Sequence, residues 1–200
     1  MEKKHLVLAS GSPRRKELLS QLGYEFSVLV TDVEECKHAQ ETAEEYVKRL
    51  SLDKALAALS LLTTNPSEKQ NVASGSDTVV LGSDTVVVSQ GQVLEKPADF
   101  SDSKRMLTQL ANGRHQVMTA VSVVSKEKQK TEIVITDVWF KPLSEKEIEQ
   151  YWQTGEPCDK AGSYGIQGLG GRFVTRIEGS YYAVVGLPLF ETDQLLQEFL

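Results

Sequence analysis

The stretch that decides the fold is HLVLASGSPRRKELL, residues 5–19. Its first part, HLVLA (5–9), is almost wholly apolar and has the length of a buried strand. The next three residues, 10–12, are polar and typical of a turn. Pro13 then occupies the first position of a helix that the leucine spacing predicts over 13–22. The stretch therefore predicts a strand, a tight turn and a helix in immediate succession.

The alternation of strand and helix patterns continues along the chain. Capping boxes mark the starts of two helices, Thr42 with Glu45 and Ser144 with Glu147. This alternation predicts an α/β fold, and the hairpin predicted among the βα units indicates that its sheet is mixed. It would be a single domain, residues 1–200, with a mixed twisted sheet flanked by helices. Predicted strands cover 5–9, 25–30, 79–88, 116–124, 132–140 and about 172–177; further helices run from 42 to about 62, over 101–111, from 144 to about 154 and over 188–200, and a polar loop covers 65–75.

The composition is that of an ordinary globular protein. The chain has 200 residues, of which 40% are hydrophobic and 25% charged, and its formal net charge is −6. That acidic balance argues against a protein that coats nucleic acid, although local cations can still hold a small anion. The longest apolar runs have strand length, so we expect no membrane association. The N-terminal apolar run is too short for a secretion signal and the two cysteines suit reduced thiols, which favours a cytoplasmic location.

Three cations crowd the start of the first helix. Ser12 is a good N-cap, and Arg14, Arg15 and Lys16 follow it. The positive end of the helix dipole disfavours cations there by roughly 0.3–1 kcal/mol each. An anion at the helix N-terminus would reverse that effect through backbone N–H and guanidinium groups. The alternative is a solvated basic turn, but the Ser-Gly-Ser approach that begins at Ser10 favours a phosphate site.

Two lysines extend the predicted anion site. Lys54 lies in the apolar stripe of the long helix, four residues after Leu50. There it either extends to the surface, which is the commoner outcome, or reaches an anion at the sheet edge. Lys96 follows the strand predicted over 79–88 and its turn. Four cations are thus expected near one another, and together they could neutralise a polyphosphate. They are Arg14, Arg15, Lys54 and Lys96.

The sequence GSDTVV occurs twice, with Asp77 and Asp84 at equivalent positions seven residues apart. Side chains alternate between the faces of a strand, so residues at this separation point to opposite faces of one continuous strand. Asp84 alone leads through a turn to 94–97, LEKP, which returns a lysine to the same neighbourhood. We therefore predict that Asp84 is the working carboxylate and that Asp77 is a cap or turn residue.

Glu34 and Glu35 are candidates to hold a metal ion together with Asp84. Hard divalent cations such as Mg²⁺ or Mn²⁺ bind carboxylate oxygens and substrate phosphates together. An acidic surface turn explains the Glu34-Glu35 pair equally well when it is taken alone. The glycine-rich segment 162–171, GSYGIQGLGG, is a weak signal, because it matches neither a Walker loop nor a dinucleotide fingerprint.

Four motifs, in this order along the chain, resemble those of the Maf nucleotide pyrophosphatases. They are LASGSPRRKELL (8–19), GSDTVV followed by LEKP (82–97), DKAGSYGIQG (159–168) and GSYYAVVGLPL (179–189). The resemblance implies an α/β fold with a deep cleft, like that of the Maf and ITPase enzymes, and suggests a homodimer. It also implies hydrolysis of nucleoside triphosphates to the monophosphate and pyrophosphate with a divalent metal. Such enzymes are proposed to clear non-standard nucleotides or to restrain cell division.

Within this family the sequence is similar to the branch that acts on dTTP and UTP. That branch carries SPRR, DT and GIQG where the branch for methylated GTP tends to carry SPWR, DQ and a SEG-type motif. Arg14, Thr85 and Gln167 stand at these places, so the resemblance implies that they set specificity. The Gln167 amide both donates and accepts, as pairing with a pyrimidine edge requires. The resemblance maps the proton acceptor to Asp84, although the first GSDTVV copy departs from the family's usual approach to this strand.

The resemblance and the charge pattern together assign roles to the polar residues. Asp84 would accept the proton of the attacking water, either directly or by holding the metal that acidifies it. A nucleotide-binding regulator of cell division with little catalysis is the alternative from another class, and an enzyme that releases single phosphates is a third possibility. The predicted phosphate-binding residues are Ser10, Arg14, Arg15, Lys54 and Lys96.

Overall fold

The computed structural model describes residues 4–64 and 78–200. The loop predicted over 65–75 and Asp77 lie outside these residues. The strands are β1 (His5–Ala9), β2 (Phe26–Val28), β3 (Thr78–Ser89), β4 (Gln92–Leu94), β5 (Arg114–Val124), β6 (Gln129–Phe140) and β7 (Val174–Glu178). The helices are α1 (Pro13–Gln21), α2 (Ala43–Thr64), α3 (Phe100–Leu110), α4 (Glu145–Gln153), α5 (Tyr181–Val185) and α6 (Leu189–Phe199), with 3-10 turns over Glu156–Asp159, Ala161–Ser163 and Leu169–Phe173.

The strands form a mixed sheet in the order β2-β1-β3-β5-β6-β7, and β4 pairs with β3. β1 is parallel to both β2 and β3, with Ala9 opposite Gly82 in the second pair. The β3–β4 and β6–β7 pairs are antiparallel. Parallel and antiparallel pairs thus share one sheet, which confirms the predicted α/β class. In the described parts of the chain, no helix combines the length and the apolar character that crossing a membrane requires.

The chain divides into two compact units. The first contains Met1–Asp84, Thr119–Ile133 and Gly186–Leu200, and the second contains Thr85–Met118 and Val134–Val185. The organisation of residues 1–200 as a single domain, like the cleft, stays a prediction. In the first unit, α2 packs its small and aliphatic side chains on β1 and β3, which are parallel and apolar as sheets covered by helices require. The buried residues of this core are Val7, Ala9, Ala55, Ala58, Leu62, Val80 and Val124.

The core of the second unit is built around aromatic rings. Phe140 meets the rings of His115 and Tyr164 edge to face, at centroid distances of 4.9 and 4.7 Å. Tyr151 meets Phe173 in the same way at 4.9 Å. Edge-to-face pairs add to the free energy that area burial supplies. The glycine-rich segment that follows α4 packs against this core.

Both predicted capping boxes are confirmed. The Glu45 N–H donates to Thr42 Oγ1 at 3.2 Å, and the Thr42 N–H donates to Glu45 Oε2 at 2.8 Å. Ser144 and Glu147 make the equivalent pair at the start of α4. The three 3-10 turns were not predicted, and neither were one short helix and one short strand. The helix is α5 (Tyr181–Val185), whose residue types are typical of a strand. It starts after Ser180, whose Oγ caps it by accepting the Ala183 N–H at 3.1 Å. The strand is β4, which spans only Gln92–Leu94.

The stability of the second unit should depend on the protonation of His115. Burial lowers the pKa of His115 from 6.5 to about 4, although the Asp137 carboxylate opposes this shift. The unfolded chain therefore binds the proton first, so the stabilisation is complete above pH 6.5 and is lost as the pH falls towards 4. We expect the free energy of unfolding, measured with urea, to fall by about 3 kcal/mol over that range.

The variant His115→Gln tests this origin of the pH dependence. Glutamine can keep a hydrogen bond to the Tyr164 hydroxyl, which lies 2.8 Å from His115 Nε2, but it does not titrate. The variant should therefore lose most of the fall in stability between pH 6.5 and 4. An equal fall in wild type and variant would contradict the assignment.

Candidate active site in the first unit

The ends of two parallel strands bring the first candidate residues to one edge of the sheet. Ala9, the last residue of β1, lies opposite Gly82 in β3. Ser10 therefore leaves β1 beside the part of β3 that continues to Asp84. In α/β sheets, ligands bind at the carboxyl ends of the strands. The predicted phosphate-binding turn and the predicted carboxylate are thus neighbours by topology.

The turn after β1 is held by its own serines. The Ser12 N–H donates to Ser10 Oγ at 3.2 Å, and the Arg15 N–H donates to Ser12 Oγ at 3.5 Å. Ser12 is therefore the N-cap of α1, as predicted, with Pro13 at the first helical position. Ser10 is buried, while Arg14 and Arg15 are half-buried at the start of the helix. Both arginines thus stay near the helix end that attracts anions.

Lys54 bridges two carboxylates. Its Nζ lies 2.7 Å from Asp84 Oδ1 and 2.6 Å from Glu35 Oε1. The side chains of Lys54 and Asp84 are only 12% and 10% exposed, whereas that of Glu35 is 44% exposed. Of the two predicted outcomes for Lys54, the structure shows the second. The side chain reaches the carboxylates at the sheet edge instead of extending to the surface. Low exposure makes the charges interact more strongly than a surface pair would.

Arg15 is oriented by a backbone carbonyl. Its Nε donates to the Gly186 carbonyl at 2.9 Å, and the Ser83 hydroxyl donates to the same oxygen at 3.2 Å. Burial lowers the pKa of Arg15 from its usual value, and the nearby Asp84 and Glu35 carboxylates oppose that shift. A guanidinium group stays charged even so. Arg15 thus belongs to the same charged cluster as Lys54, Asp84 and Glu35.

Gly82 allows α2 to approach β3 closely enough to place Lys54. A Cβ at Gly82 would lie 2.3 Å from the Ser51 carbonyl oxygen and 2.9 Å from the Ala55 nitrogen. Both are backbone atoms of the helix turn that carries Lys54, so a side chain would push that turn away from the sheet. A glycine in a strand interior often marks such an approach of another backbone.

Replacing Gly82 by alanine should therefore lower the stability of the protein. We expect a loss of about 1–3 kcal/mol in the free energy of unfolding, because α2 must move to admit the methyl group. Urea unfolding measures this loss. Gly113→Ala is the matched control, since its Cβ would find its nearest neighbours at an ordinary 3.7 Å. Equal stability of the two variants would contradict the proposed close packing.

The cluster offers two carboxylates, those of Asp84 and Glu35, to a divalent cation. No group of three or more His, Cys, Asp or Glu side chains that could hold a metal ion occurs within residues 4–64 and 78–200. Asp84 and Glu35 nevertheless converge on one positive charge, the Lys54 ammonium. Glu34 is exposed. Mg²⁺ commonly takes one or two protein carboxylates and completes its shell with phosphates and water, so the pair fits such an ion.

Three predicted residues belong to the second unit. Thr85 is half-buried in β3, directly after Asp84. Lys96 is exposed two residues beyond β4, and Gln167 is exposed in the glycine-rich segment. Their predicted roles in phosphate binding and specificity stay predictions.

Two residues that take part in orienting Arg15 were not predicted from the sequence. Ser83 lies inside GSDTVV and is completely buried, and Gly186 lies inside GSYYAVVGLPL. A carbonyl that accepts two hydrogen bonds from distant residues leaves no trace in residue type or spacing. Sequence motifs indicated only that these positions lie near functional residues.

Comparison with known proteins places these residues in a family. The model of the Maf-like proteins matches residues 5–199. The chain is 70% identical to a dTTP/UTP pyrophosphatase of Vibrio parahaemolyticus, over 98% of this chain and 97% of the relative. It is 62% identical to a dTTP/UTP pyrophosphatase of Vibrio cholerae, over 97% of each. Among solved structures it is similar to the Ham1 protein of Staphylococcus aureus, with a TM-score of 0.46 and 16% identity over 68% of this chain and 72% of that one.

Proposed function

The chain belongs to the Maf family, and from that membership we propose that it hydrolyses dTTP and UTP to the nucleoside monophosphate and pyrophosphate. It is thus a nucleoside triphosphate pyrophosphatase, a hydrolase of phosphoric anhydrides. The dTTP/UTP pyrophosphatases that resemble it over nearly their whole length support this proposal. The observation that carries it is the half-buried Lys54, whose ammonium joins Asp84 and Glu35 beside Arg15.

The cations of the cluster serve to bind and neutralise the triphosphate. Cleavage between the α and β phosphates develops charge on the phosphate oxygens, which fixed cations stabilise. Arg15 is preoriented by its bond to the Gly186 carbonyl, so it loses little freedom when it binds an oxyanion. Lys54 is positioned by its contacts with two carboxylates. Ser10 and Arg14 at the start of α1, together with Lys96, complete the proposed phosphate-binding set.

Asp84 provides the acceptor for the proton of the attacking water. A carboxylate within reach of that water acts as a general base, and the contact with Lys54 keeps Asp84 in a fixed position. Asp84 and Glu35 would also hold a divalent metal, with Glu34 as a further candidate ligand. When bound, Mg²⁺ or Mn²⁺ supplies charge neutralisation to the phosphates and a more acidic water.

The proposed specificity residues are Arg14, Thr85 and Gln167. The amide of Gln167 offers an NH₂ donor beside an oxygen acceptor, which matches the O4 and N3–H edge of uracil and thymine. The proposed role, which family membership supports, is the cleansing of the nucleotide pool, and the proposed location is the cytoplasm. A homodimer that binds neither nucleic acid nor membrane is the proposed state of the protein.

A substrate panel tests this function. Purified protein with Mg²⁺ or Mn²⁺ should turn over dTTP and UTP faster than CTP, dGTP or methylated GTP. A preference for methylated GTP would overturn the proposed specificity. Saturable binding of triphosphates without turnover of any of them would instead favour a regulator that binds nucleotides.

A further inference from the structure

Part of the glycine-rich segment, 165–170, wraps around a glutamate and a tyrosine of the second unit. Glu156 Oε2 accepts the Leu169 N–H at 2.8 Å, and Oε1 accepts the Gly170 N–H at 3.0 Å. The Tyr151 hydroxyl donates to the same Oε1 at 2.7 Å. That hydroxyl also accepts the Gly165 N–H at 3.1 Å. One side-chain pair therefore holds both ends of the segment.

Two glycines of the segment, Gly168 and Gly170, are required by this close approach. A Cβ at Gly168 would lie 2.2 Å from Glu156 Oε2, and one at Gly170 would lie 2.5 Å from the Tyr151 hydroxyl oxygen. Neither neighbour can retreat easily, because Tyr151 is completely buried and Glu156 is tied to three donors. The glycines thus serve contact with a carboxylate as well as the turn itself.

Glu156 is ionised at neutral pH in this environment. Burial alone would raise the pKa of Glu156, but the Gly170 and Leu169 N–H groups and the Tyr151 hydroxyl together hold it below its usual value. Hydrogen bonds to an ionised acceptor are stronger than those between neutral groups. The carboxylate therefore anchors the backbone more firmly than a neutral side chain would.

The anchored backbone carries Gln167. Gln167 is exposed between the two anchored ends, and the Gly168 N–H closes a turn on the Gly165 carbonyl at 3.4 Å. We propose that Glu156, with Tyr151, is a positioning residue for nucleobase selection, because its carboxylate fixes the turn that presents the Gln167 amide. This inference rests on the proposed function, in which Gln167 pairs with uracil or thymine. Fixed placement matters because an error of about 1 Å in a binding group can cost up to 100-fold in rate.

The variant Glu156→Gln tests the inference. It keeps the size of the side chain but turns one acceptor oxygen into an NH₂ group that faces a donor. We expect the preference for UTP over CTP, as the ratio of their kcat/KM values, to fall about tenfold, mainly through a higher KM for UTP. Glu149→Gln is the matched control, since it makes the same charge change at an exposed position of α4 and should keep the wild-type ratio.

A double mutant distinguishes positioning from a general structural role. If Glu156 acts through Gln167, then Glu156→Gln should change the UTP/CTP ratio little in a Gln167→Ala background. Tyr151→Phe, which keeps the buried ring and removes the hydroxyl, should shift the ratio in the same direction and serves if Glu156→Gln does not fold. An unchanged ratio in active Glu156→Gln protein, or an equal further loss in the Gln167→Ala background, would overturn this inference alone. A wild-type protein that does not turn over UTP, or does not prefer it to CTP, would overturn the proposed function and the inference with it.

Discussion

Replacing Asp84 by asparagine should lower kcat for dTTP and UTP by about 1,000-fold or more, because asparagine cannot accept the proton of the attacking water. The change removes a charge but little volume. The fold should survive it, since Lys54 keeps its contact with Glu35 Oε1 at 2.6 Å. Steady-state kinetics with saturating metal measure the loss, and the unfolding midpoint measures the integrity of the fold.

Asp77→Asn is the control that the repeated GSDTVV offers. Asp77 has the same flanking sequence but lies in the copy that does not continue to LEKP. We expect this variant to keep activity close to that of the wild type. Equal loss of activity in the two variants would contradict the prediction that Asp84 alone is the working carboxylate.

Replacing Lys54 by methionine should lower kcat/KM by about 100-fold or more, because the site loses a fixed cation that stabilises developing charge. The variant should also be less stable. Asp84 would remain nearly buried without its ammonium partner. Breaking a fully buried pair costs about 3–5 kcal/mol. We expect a smaller loss in the free energy of unfolding here, because Glu35 is 44% exposed and solvent screens its charge. Kinetics and urea unfolding measure the two effects separately.

Two variants control for this substitution. Lys48→Met makes the same change at an exposed position of α2 and should leave both activity and stability close to wild type. Lys54→Arg keeps the charge and should restore much of the stability, although not the geometry of a single ammonium between two carboxylates. Full activity of Lys54→Met would exclude Lys54 from the catalytic cluster.

Local signals made much of the fold predictable. β1 has the predicted bounds, and both capping boxes form because each depends on residues only three positions apart. The start of α1 was predictable for the same reason, since Ser12 and Pro13 act on the adjacent backbone. The short strand β4 (Gln92–Leu94) was harder to predict, because it forms through its pairing with β3 rather than through its own sequence.

Long-range contacts in the candidate site were only partly predictable. The apolar stripe of α2 left two outcomes open for Lys54, and its pairing with Asp84 joins residues that are 30 positions apart. The sequence did not distinguish Glu35 in a charged cluster from Glu35 in a surface turn. The approach of the Ser51 carbonyl to Gly82 likewise depends on how α2 crosses the sheet, which no residue pattern encodes locally.

The contacts of Glu156 with the glycine-rich segment were likewise not predictable from the sequence. GSYGIQGLGG shows that glycines are needed but not what approaches them. The acidic partner stands six residues before Gly162, outside the glycine-rich run, and only its hydrogen bonds to Leu169 and Gly170 connect the two.

The proposed reaction cleaves the phosphoanhydride bond between the α and β phosphates. Phosphorus NMR of a dTTP reaction, with wild-type protein and with Asp84→Asn in parallel, identifies the products directly. Wild-type protein should yield dTMP and pyrophosphate in equal amounts, and Asp84→Asn should leave dTTP intact. Release of orthophosphate together with dTDP would contradict cleavage between the α and β phosphates and would assign the protein to enzymes that remove single phosphates.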